Sequence, residues 1–370
     1  MKPKLVILTN NISPYRIPVY RGLGESFDTL VAVGKPEPNR KDWGALNEKL
    51  ASETVRVEVA AGKFFTTSEA KYLHINPGYL KILFREKPDA VISLEIGFRT
   101  LCAMIHATLK RKPLWVWWGG TPHSERGIGR FKKAVRCYVA RLKIRWISYG
   151  QESTQYLRSI GVSPDRIVQI QNAVDERLFT QKEPRVDENT DGPRILLVVG
   201  QLIGRKGLEQ LLRSSHRLQS EGEKFVLRFV GSGPRREDLE EQVAQMGIEN
   251  VEFLGGIPPD QLPAQYRAAD VLVFPTLEDV WGLAVNESLL CGTPVICSKY
   301  AGCSGELIET DNIFDPNDDA DIDRALKRAV RGEVTLPMES RIWPIDKVSE
   351  VIRNDISRVL NHTCGPAERK

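Results

Sequence analysis

The 370-residue chain carries no strong surplus of charge of either sign: 52 basic against 48 acidic side chains leave +4 at neutral pH. A balance that small does not by itself imply a nucleic-acid partner, and none is expected. Long apolar runs are also missing. No stretch approaches the roughly 20 residues needed to span a bilayer, and the short Leu5–Leu8 run behind the basic N-terminus is too brief for a signal-peptide core. The six cysteines, Cys102, Cys137, Cys291, Cys297, Cys303 and Cys364, show no CxxC spacing and sit mostly in apolar surroundings. They read as reduced, structural thiols of a cytoplasmic protein. No short-period repeat is present.

What the chain does have is an ordinary globular composition, 41% hydrophobic and 27% charged, at a length that favours two cores over one. Short apolar runs alternate with amphipathic segments throughout. The first half offers strands at 4–8, 30–33, 90–93, 114–117, 146–149 and 167–170. The second offers them at 195–199, 226–230, 251–254, 271–274 and 295–297. Helical patterns lie between them, including 208–219, 236–246 and 260–268. Alternating strands and helices imply parallel sheets covered on both faces, the doubly wound α/β class. The polar, proline-flanked KEPRVDENTDGP at 182–193 reads as a linker. It would separate a Rossmann-like domain at 1–181 from a second at 194–344. Residues 345–370 would form a C-terminal helix and tail, crossing back to the first domain.

The most informative segment is 275–297, PTLEDVWGLAVNESLLCGTPVIC. Glu278 and Asp279 follow an apolar strand, Gly282 opens a helix, and Glu287 lies about one and a half turns inside it. Gly292-Thr293-Pro294 stops that helix before the next strand. Helix-start amides attract anions and carboxylates accept hydrogen bonds from diols, so the segment suits a ligand with both phosphates and hydroxyls. Sugar nucleotides are such ligands. Upstream, VGQLIGRKG at 199–207 places Arg205 and Lys206 on a glycine-bearing turn, where they clamp a diphosphate or are merely a solvated basic turn. FVGSGP at 229–234 lacks the dinucleotide fingerprint and reads as a tight packing turn. Gly256 and Ile257, at a strand end, have backbone groups suited to reading the edge of a base.

The ordered motifs VGQLIGRKG, FVGSGP, VEFLGGI, YRAADVLVFPT, EDVWGLAVNESLLCGTPVI and AGCSGELIE resemble the donor-binding domain of family 4 glycosyltransferases. That family consists of retaining enzymes with GT-B architecture, two facing Rossmann-like domains with an interdomain cleft. The match is good over 195–315 and looser in the N-terminal half. The family signature is two glutamates separated by seven residues. The resemblance assigns the second to Glu287, on the ribose hydroxyls. The first falls on Asp279, at the transferred sugar, with Glu278 as a substitute for a carboxylate one methylene short. Gly282, Leu283 and Ala284 then lie beside sugar and phosphates. Lys206 matches the family lysine, Gln201 stands where arginine is usual, and Arg205 supplies the missing charge.

In the N-terminal half, family members often carry a glycine pair after the first strand. This chain instead has Thr9-Asn10-Asn11-Ile12-Ser13-Pro14-Tyr15-Arg16. Asn10, Tyr15 and Arg16 either contact an acceptor or only shape the start of the first helix. His123, after the aromatic strand LWVWW, is the candidate for the family's functional histidine, against an exposed loop residue. Glu95, after the strand 90–93, is either a cleft-facing group or a solvated carboxylate. The segment Arg126–Arg145 has eight basic residues and no acidic one, with Ile128, Phe131, Val135, Tyr138, Val139 and Leu142 at helical spacing. It lies either on an anionic membrane surface or on the sheet with a basic outer face.

The resemblance implies transfer of a hexosyl group from a UDP- or GDP-sugar to a sugar or lipid-linked glycan acceptor, on the inner face of a membrane or in the cytoplasm. No cofactor is expected. The aspartates 319, 321 and 323 have the spacing of a metal pair but read as helix-start residues leading into 324–330, so no metal is expected. Two other classes are compatible with the residues: a sugar-nucleotide epimerase of the same architecture, and a non-catalytic nucleotide-sugar-binding subunit suggested by Asp279 and Gln201.

Overall fold

A computed structural model of the chain describes residues 1–34, 46–52, 54–68, 71–180, 192–337 and 341–363. The linker expected at 182–193 lies outside them apart from Gly192 and Pro193, as does Cys364. The chain divides into two compact units, one of Met1–Ala173 with Trp343–Lys370 and one of Val174–Ile342. The change of unit therefore comes at Val174, ahead of the polar stretch expected to mark it.

The first unit is built on β1 (Lys4–Thr9), β2 (Asp28–Val33), β3 (Val55–Val59), β6 (Ala90–Leu94), β7 (Leu114–Trp118), β8 (Arg145–Tyr149) and β9 (Ile167–Ile170). They form one sheet in the order β3-β2-β1-β6-β7-β8-β9, parallel throughout. A separate antiparallel hairpin joins β4 (Lys63–Ser68) and β5 (Lys71–Ile75). The interior strands are continuous apolar runs because helices cover both faces: every residue of β6 and of β7 is buried. Strand β3, VRVEV, lies at the sheet edge with only Val55 buried; its alternation of valines with charged residues is a strand signal that the expected strands do not include.

The second unit has β10 (Arg194–Val199), β11 (Phe225–Val230), β12 (Val251–Gly255), β13 (Val271–Phe274), β14 (Val295–Ser298) and β15 (Ile313–Phe314). Their order is β12-β11-β10-β13-β14-β15, again all parallel. Its core packs Leu211, Leu227, Phe229, Val273, Ile296, Ile322 and Leu326 around the sheet. One expectation is corrected here. The aspartates 319, 321 and 323 are not a turn before a helix, because the helix is Asp319–Val330 and Asp318 caps it by accepting from the amides of Ala320 and Asp321. Asp323 holds Arg217 in a two-pronged ion pair, and Asp321 accepts from the amide of Asp315.

In both sheets the strand order reverses once, at β1/β6 and at β10/β13. Loops leaving neighbouring strands there run to opposite faces of the sheet, which opens a crevice at the carboxyl edge. The crevices gather the loops after β1 and β6 in one unit and after β10 and β13 in the other.

The helix Ile345–Thr363 belongs to the first unit, packed on the helix Ile17–Gly24 and on β9. Its Asp355, 7% exposed, accepts from Trp115 Nε1 at 2.9 Å and from Arg145 Nε and Nη2 at 2.8 and 2.7 Å. Burial alone would raise this carboxyl, but Arg145, Trp115 and Arg358 outweigh it and hold it below the ordinary value. Asp355→Ala leaves Arg145 buried without its partner and is expected to destabilise the unit by about 3 kcal/mol in urea unfolding. A depressed carboxyl stabilises only where the unfolded chain is also ionised. The difference between the wild type and Asp355→Asn should thus be full at neutral pH and shrink below about pH 4.

Candidate functional site

At the reversal of the second unit, β10 ends in Gly200 and Gln201, and the chain makes a short 3-10 turn, Gly204–Lys206, before the helix Leu208–Ser220. Gly207 has φ +68°, and a Cβ there would fall 1.9 Å from the carbonyl oxygen of Pro275. Only glycine lets this turn lie against the loop after β13. The two loops are then tied: the Leu277 amide donates to Arg205 O at 2.8 Å, and Thr276 Oγ1 donates to the same oxygen at 3.1 Å.

This tie sets the basic residues on the acidic ones. Lys206 Nζ lies 2.6 Å from Asp279 Oδ2 and 5.1 Å from the centre of the Phe274 ring. Arg205 donates to the carbonyl of Glu278 at 2.9 Å, and its guanidinium approaches Asp279 Oδ2 to 3.7 Å. Asp279 is fixed by the Trp281 amide on its Oδ1 at 3.3 Å and by a backbone bridge to Ala301. Burial would raise its carboxyl, yet the Lys206 charge and hydrogen bond, with Arg205, hold it below the ordinary value. It is therefore an anion at neutral pH.

Gly282 turns the chain into the helix Leu283–Leu290 with φ +109°, and a Cβ there would meet the Phe274 ring at 2.8 Å. No side chain caps that helix start. Leu283 and Ala284 occupy its first turn, half-buried, and Glu287 follows on the same helix. Glu287 Oε2 accepts from the hydroxyl of the fully buried Tyr266 at 2.6 Å. Burial dominates this carboxyl and, against the Tyr266 hydrogen bond, pushes it up to about 7. Tyr266 was not singled out from sequence, although it sits in the quoted YRAADVLVFPT. The available signal was an aromatic on the short helix Leu262–Ala268 just ahead of β13, held by Thr293 Oγ1 on its carbonyl at 2.6 Å.

The remaining candidates of this unit are placed as follows. Gln201 is exposed at the end of β10 and lines a small cleft with Lys206, Phe274 and Thr276. Gly256 and Ile257 follow β12, two strands from β10 along the same edge. Glu278 gives its carbonyl to Arg205.

In the first unit, Asn10, Tyr15 and Arg16 follow β1, Glu95 follows β6 and His123 follows β7, all at the carboxyl edge of that sheet. Arg16 donates to the Tyr149 hydroxyl and stacks 5.1 Å from the Trp117 ring centre. Glu95 has a left-handed φ of +56° and lies 3.7 Å from Arg99. The carbonyl of His123 accepts from the amide of Arg126 at 3.3 Å. The basic segment forms the helix Arg130–Arg141, of which only Val139 and Ala140 are buried. Phe131 and Tyr138 point to solvent, 81% and 62% exposed, so the apolar spacing read from sequence is not all core-facing. Arg136 and Arg145 are held by Glu125 and Asp355.

Residues 179–342 match the family described as glycosyl transferases group 1. An uncharacterized glycosyltransferase of Methanocaldococcus jannaschii is 36% identical over 114 residues, which are 30% of this chain and 29% of that protein. A 2-deoxystreptamine glucosyltransferase of Streptomyces kanamyceticus is 30% identical over 172 residues, 46% of this chain and 43% of that protein. The chain thus spans less than half the length of these relatives. Among solved structures, Anabaena HepE in complex with UDP superposes with a TM-score of 0.70 at 17% identity, covering 97% of this chain and 98% of that one. The fold is GT-B.

Because folding raises the Glu287 carboxyl toward 7, the folded state retains its proton after the unfolded chain has lost it. Stability from this group is full below about pH 4 and falls as pH rises toward 7. Replacing it by Gln should remove that decline. Thermal unfolding from pH 4.5 to 8 is expected to show the variant gaining on the wild type by on the order of 1–3 kcal/mol; parallel curves would contradict the assignment.

Proposed function

We propose that the chain is a retaining glycosyltransferase that moves a hexosyl group from a UDP- or GDP-sugar to a hydroxyl of a sugar or lipid-linked glycan, in polysaccharide or glycoconjugate synthesis. The observation that carries this reading is the arrangement in the second unit: an uncapped helix start at Gly282, with Lys206–Asp279 on one side and Tyr266–Glu287 one and a half turns on. The match of residues 179–342 and the relatives' glycosyltransferase names support it. UDP is favoured over GDP because HepE was solved with UDP and with UDP-glucose.

On this reading Glu287 receives the ribose hydroxyls and the helix amides from Gly282 receive the phosphates. Arg205 and Lys206 take the charge that grows on the leaving diphosphate. Asp279 orients the sugar. The acceptor oxygen bonds to the anomeric carbon on the face the diphosphate leaves, the bond from that carbon to the phosphate oxygen breaks, and the departing phosphate oxygen accepts the hydroxyl proton. No metal and no covalent nucleophile is invoked; orientation and charge do the chemistry. Within the first unit, the same reading gives His123 a functional role and assigns Asn10, Tyr15, Arg16 and Glu95 to the acceptor.

Calorimetry with UDP and GDP, and turnover of their hexoses with and without EDTA, test this. Glu287→Ala is expected to weaken nucleotide binding about tenfold or more, through the loss of charge-assisted hydrogen bonds. Asp279→Ala releases Lys206 for the diphosphate, so its nucleotide affinity should hold or rise while transfer falls by about a hundredfold. Normal binding and turnover in both variants would refute the site.

The same reading includes a cytoplasmic protein resting on an anionic membrane surface. Phe131 and Tyr138 stand out among Arg130, Lys132, Lys133 and Arg141, and Leu101, Ile105 and Leu109 form an exposed stripe on the helix Phe98–Lys110. No described helix is long and apolar enough to cross a membrane. Co-sedimentation should be strong with phosphatidylglycerol vesicles, weak with phosphatidylcholine, and reduced about thirtyfold or more in a Lys132→Glu/Lys133→Glu double variant, each lost lysine contributing about 1 kcal/mol. Equal recovery with both lipids would exclude it.

A further inference from the structure

The crevice of the first unit holds two arginines that its own side chains do not neutralise. Arg16 follows β1, and its guanidinium carbon lies 5.1, 5.7 and 5.8 Å from the ring centres of Trp117, Tyr149 and Tyr15. Its Nη2 donates to the Tyr149 hydroxyl, a neutral partner. Arg99 stands in the first turn of the helix Phe98–Lys110 and is 8% exposed. The carboxylate facing it, Glu95, is 3.7 Å away and its side chain is 66% exposed. Such a contact is too long for a hydrogen bond and is screened by water.

Among the described residues, five polar atoms here are buried with no hydrogen-bond partner: Arg16 Nε, Arg99 Nε, Trp117 Nε1, Asn10 Oδ1 and the hydroxyl of Tyr20, which packs edge-on against Trp117. Three of the five are N–H donors, and the hydroxyl can donate as well. Burial pulls the Arg99 guanidinium down from its ordinary value, Glu95 opposes this, and the Arg16 charge adds to it. A cation in the first turn of a helix also sits at the positive end of its dipole, where an anion is favoured. Glu95 meanwhile holds a backbone conformation uncommon outside glycine, which clusters at ligand sites. A buried and a half-buried cation, orphaned donors and a helix start, at the point where the strand order reverses, have the chemistry that recognises an oxyanion.

We propose that the crevice at the carboxyl ends of β1 and β6 binds a phosphate group on Arg16 and Arg99, and that this group belongs to the acceptor. The second clause rests on the transferase reading above; the first does not. A groove of about 520 Å³ lies beside the start of the helix that carries Arg99. Gly97 lines that groove with Leu101, Met104, Phe131, Val135 and Tyr138, and a side chain on Gly97 would start 3.8 Å from Arg99 Nη1. The phosphate is thus carried either by a compact sugar or by an apolar chain lying in the groove.

Calorimetry on the full chain saturated with UDP separates these cases. Inorganic phosphate, glucose 6-phosphate and hexyl phosphate are titrated, with glucose as the neutral control. Phosphate-bearing probes are expected to bind and glucose is not. Arg99→Gln should weaken them about tenfold or more, the loss of a charged hydrogen bond. Arg16→Lys keeps the charge but loses the fork, and should cost severalfold. Glu95→Gln, at an exposed side chain that leaves the fold intact, removes the competing charge and should tighten phosphate about threefold to tenfold. Hexyl phosphate binding tighter than glucose 6-phosphate, with the advantage lost in Phe131→Ser, assigns an apolar chain; the reverse order assigns a sugar phosphate. No phosphate binding below about 10 mM, or affinity unmoved by Arg99→Gln and Glu95→Gln, overturns the proposal. The initial UDP titration reads the other unit: its failure defeats the transferase reading and leaves the phosphate result standing.

Discussion

A parallel sheet covered by helices on both faces has one place where a ligand reaches its backbone, the carboxyl edge where the strand order reverses. Each unit of this chain has one such reversal, β1/β6 and β10/β13. Much of what is chemically notable lies on the loops that leave those strands or on the helices those loops start. Arg16 follows β1 and Glu95 follows β6; Lys206 follows β10 and Asp279 follows β13. The apolar strands are thus the means by which four short loops are held in register. The register is strict because these strands are buried on both faces and cannot slip without burying charge.

In the second unit, glycine at 207 lets one loop rest on the other, and Arg205 O accepts from both Leu277 N and Thr276 Oγ1. Lys206 and Asp279 meet as a consequence of that backbone tie. The ion pair keeps Asp279 ionised in a buried place, whereas Glu287, met only by a tyrosine hydroxyl, is pushed toward protonation near neutrality. Two carboxylates on one loop-helix segment are therefore in different states, one held as an anion and one able to gain or lose a proton near neutrality.

Much of this was legible in the sequence, for identifiable reasons. Buried parallel strands are continuous apolar runs, so the strands of the second unit were readable to within one or two residues, except β15, a two-residue pairing with no run to detect. Strand β3, VRVEV, carries the alternation of a half-buried strand and was readable, whereas KFFTTS and KYLHI of the β4–β5 hairpin have neither a long apolar run nor a regular alternation to detect. The helix start at Gly282 and the position of Glu287 were carried by spacing alone. Tyr266 was not, since its role depends on a helix that sequence order places 21 residues before Glu287. Arg99 was missed for the opposite reason. A lone arginine inside an amphipathic helix looks like solvated surface, and only the fold reveals that it is buried beside a second arginine.

That contrast separates the two units chemically. At Lys206 and Asp279 opposite charges are matched at 2.6 Å, so a ligand must compete with an existing pair. A phosphate approaching Lys206 has to be worth more than Asp279, which favours a diphosphate, with its higher charge and several oxygens, over a single phosphate. At Arg16 and Arg99 the charges are alike, and the nearest carboxylate is solvated and distant. On the phosphate proposal, a single phosphate there competes only with the exposed Glu95. On the two proposals, one fold used twice offers a polyanion a site in the second unit and a lone oxyanion a site in the first.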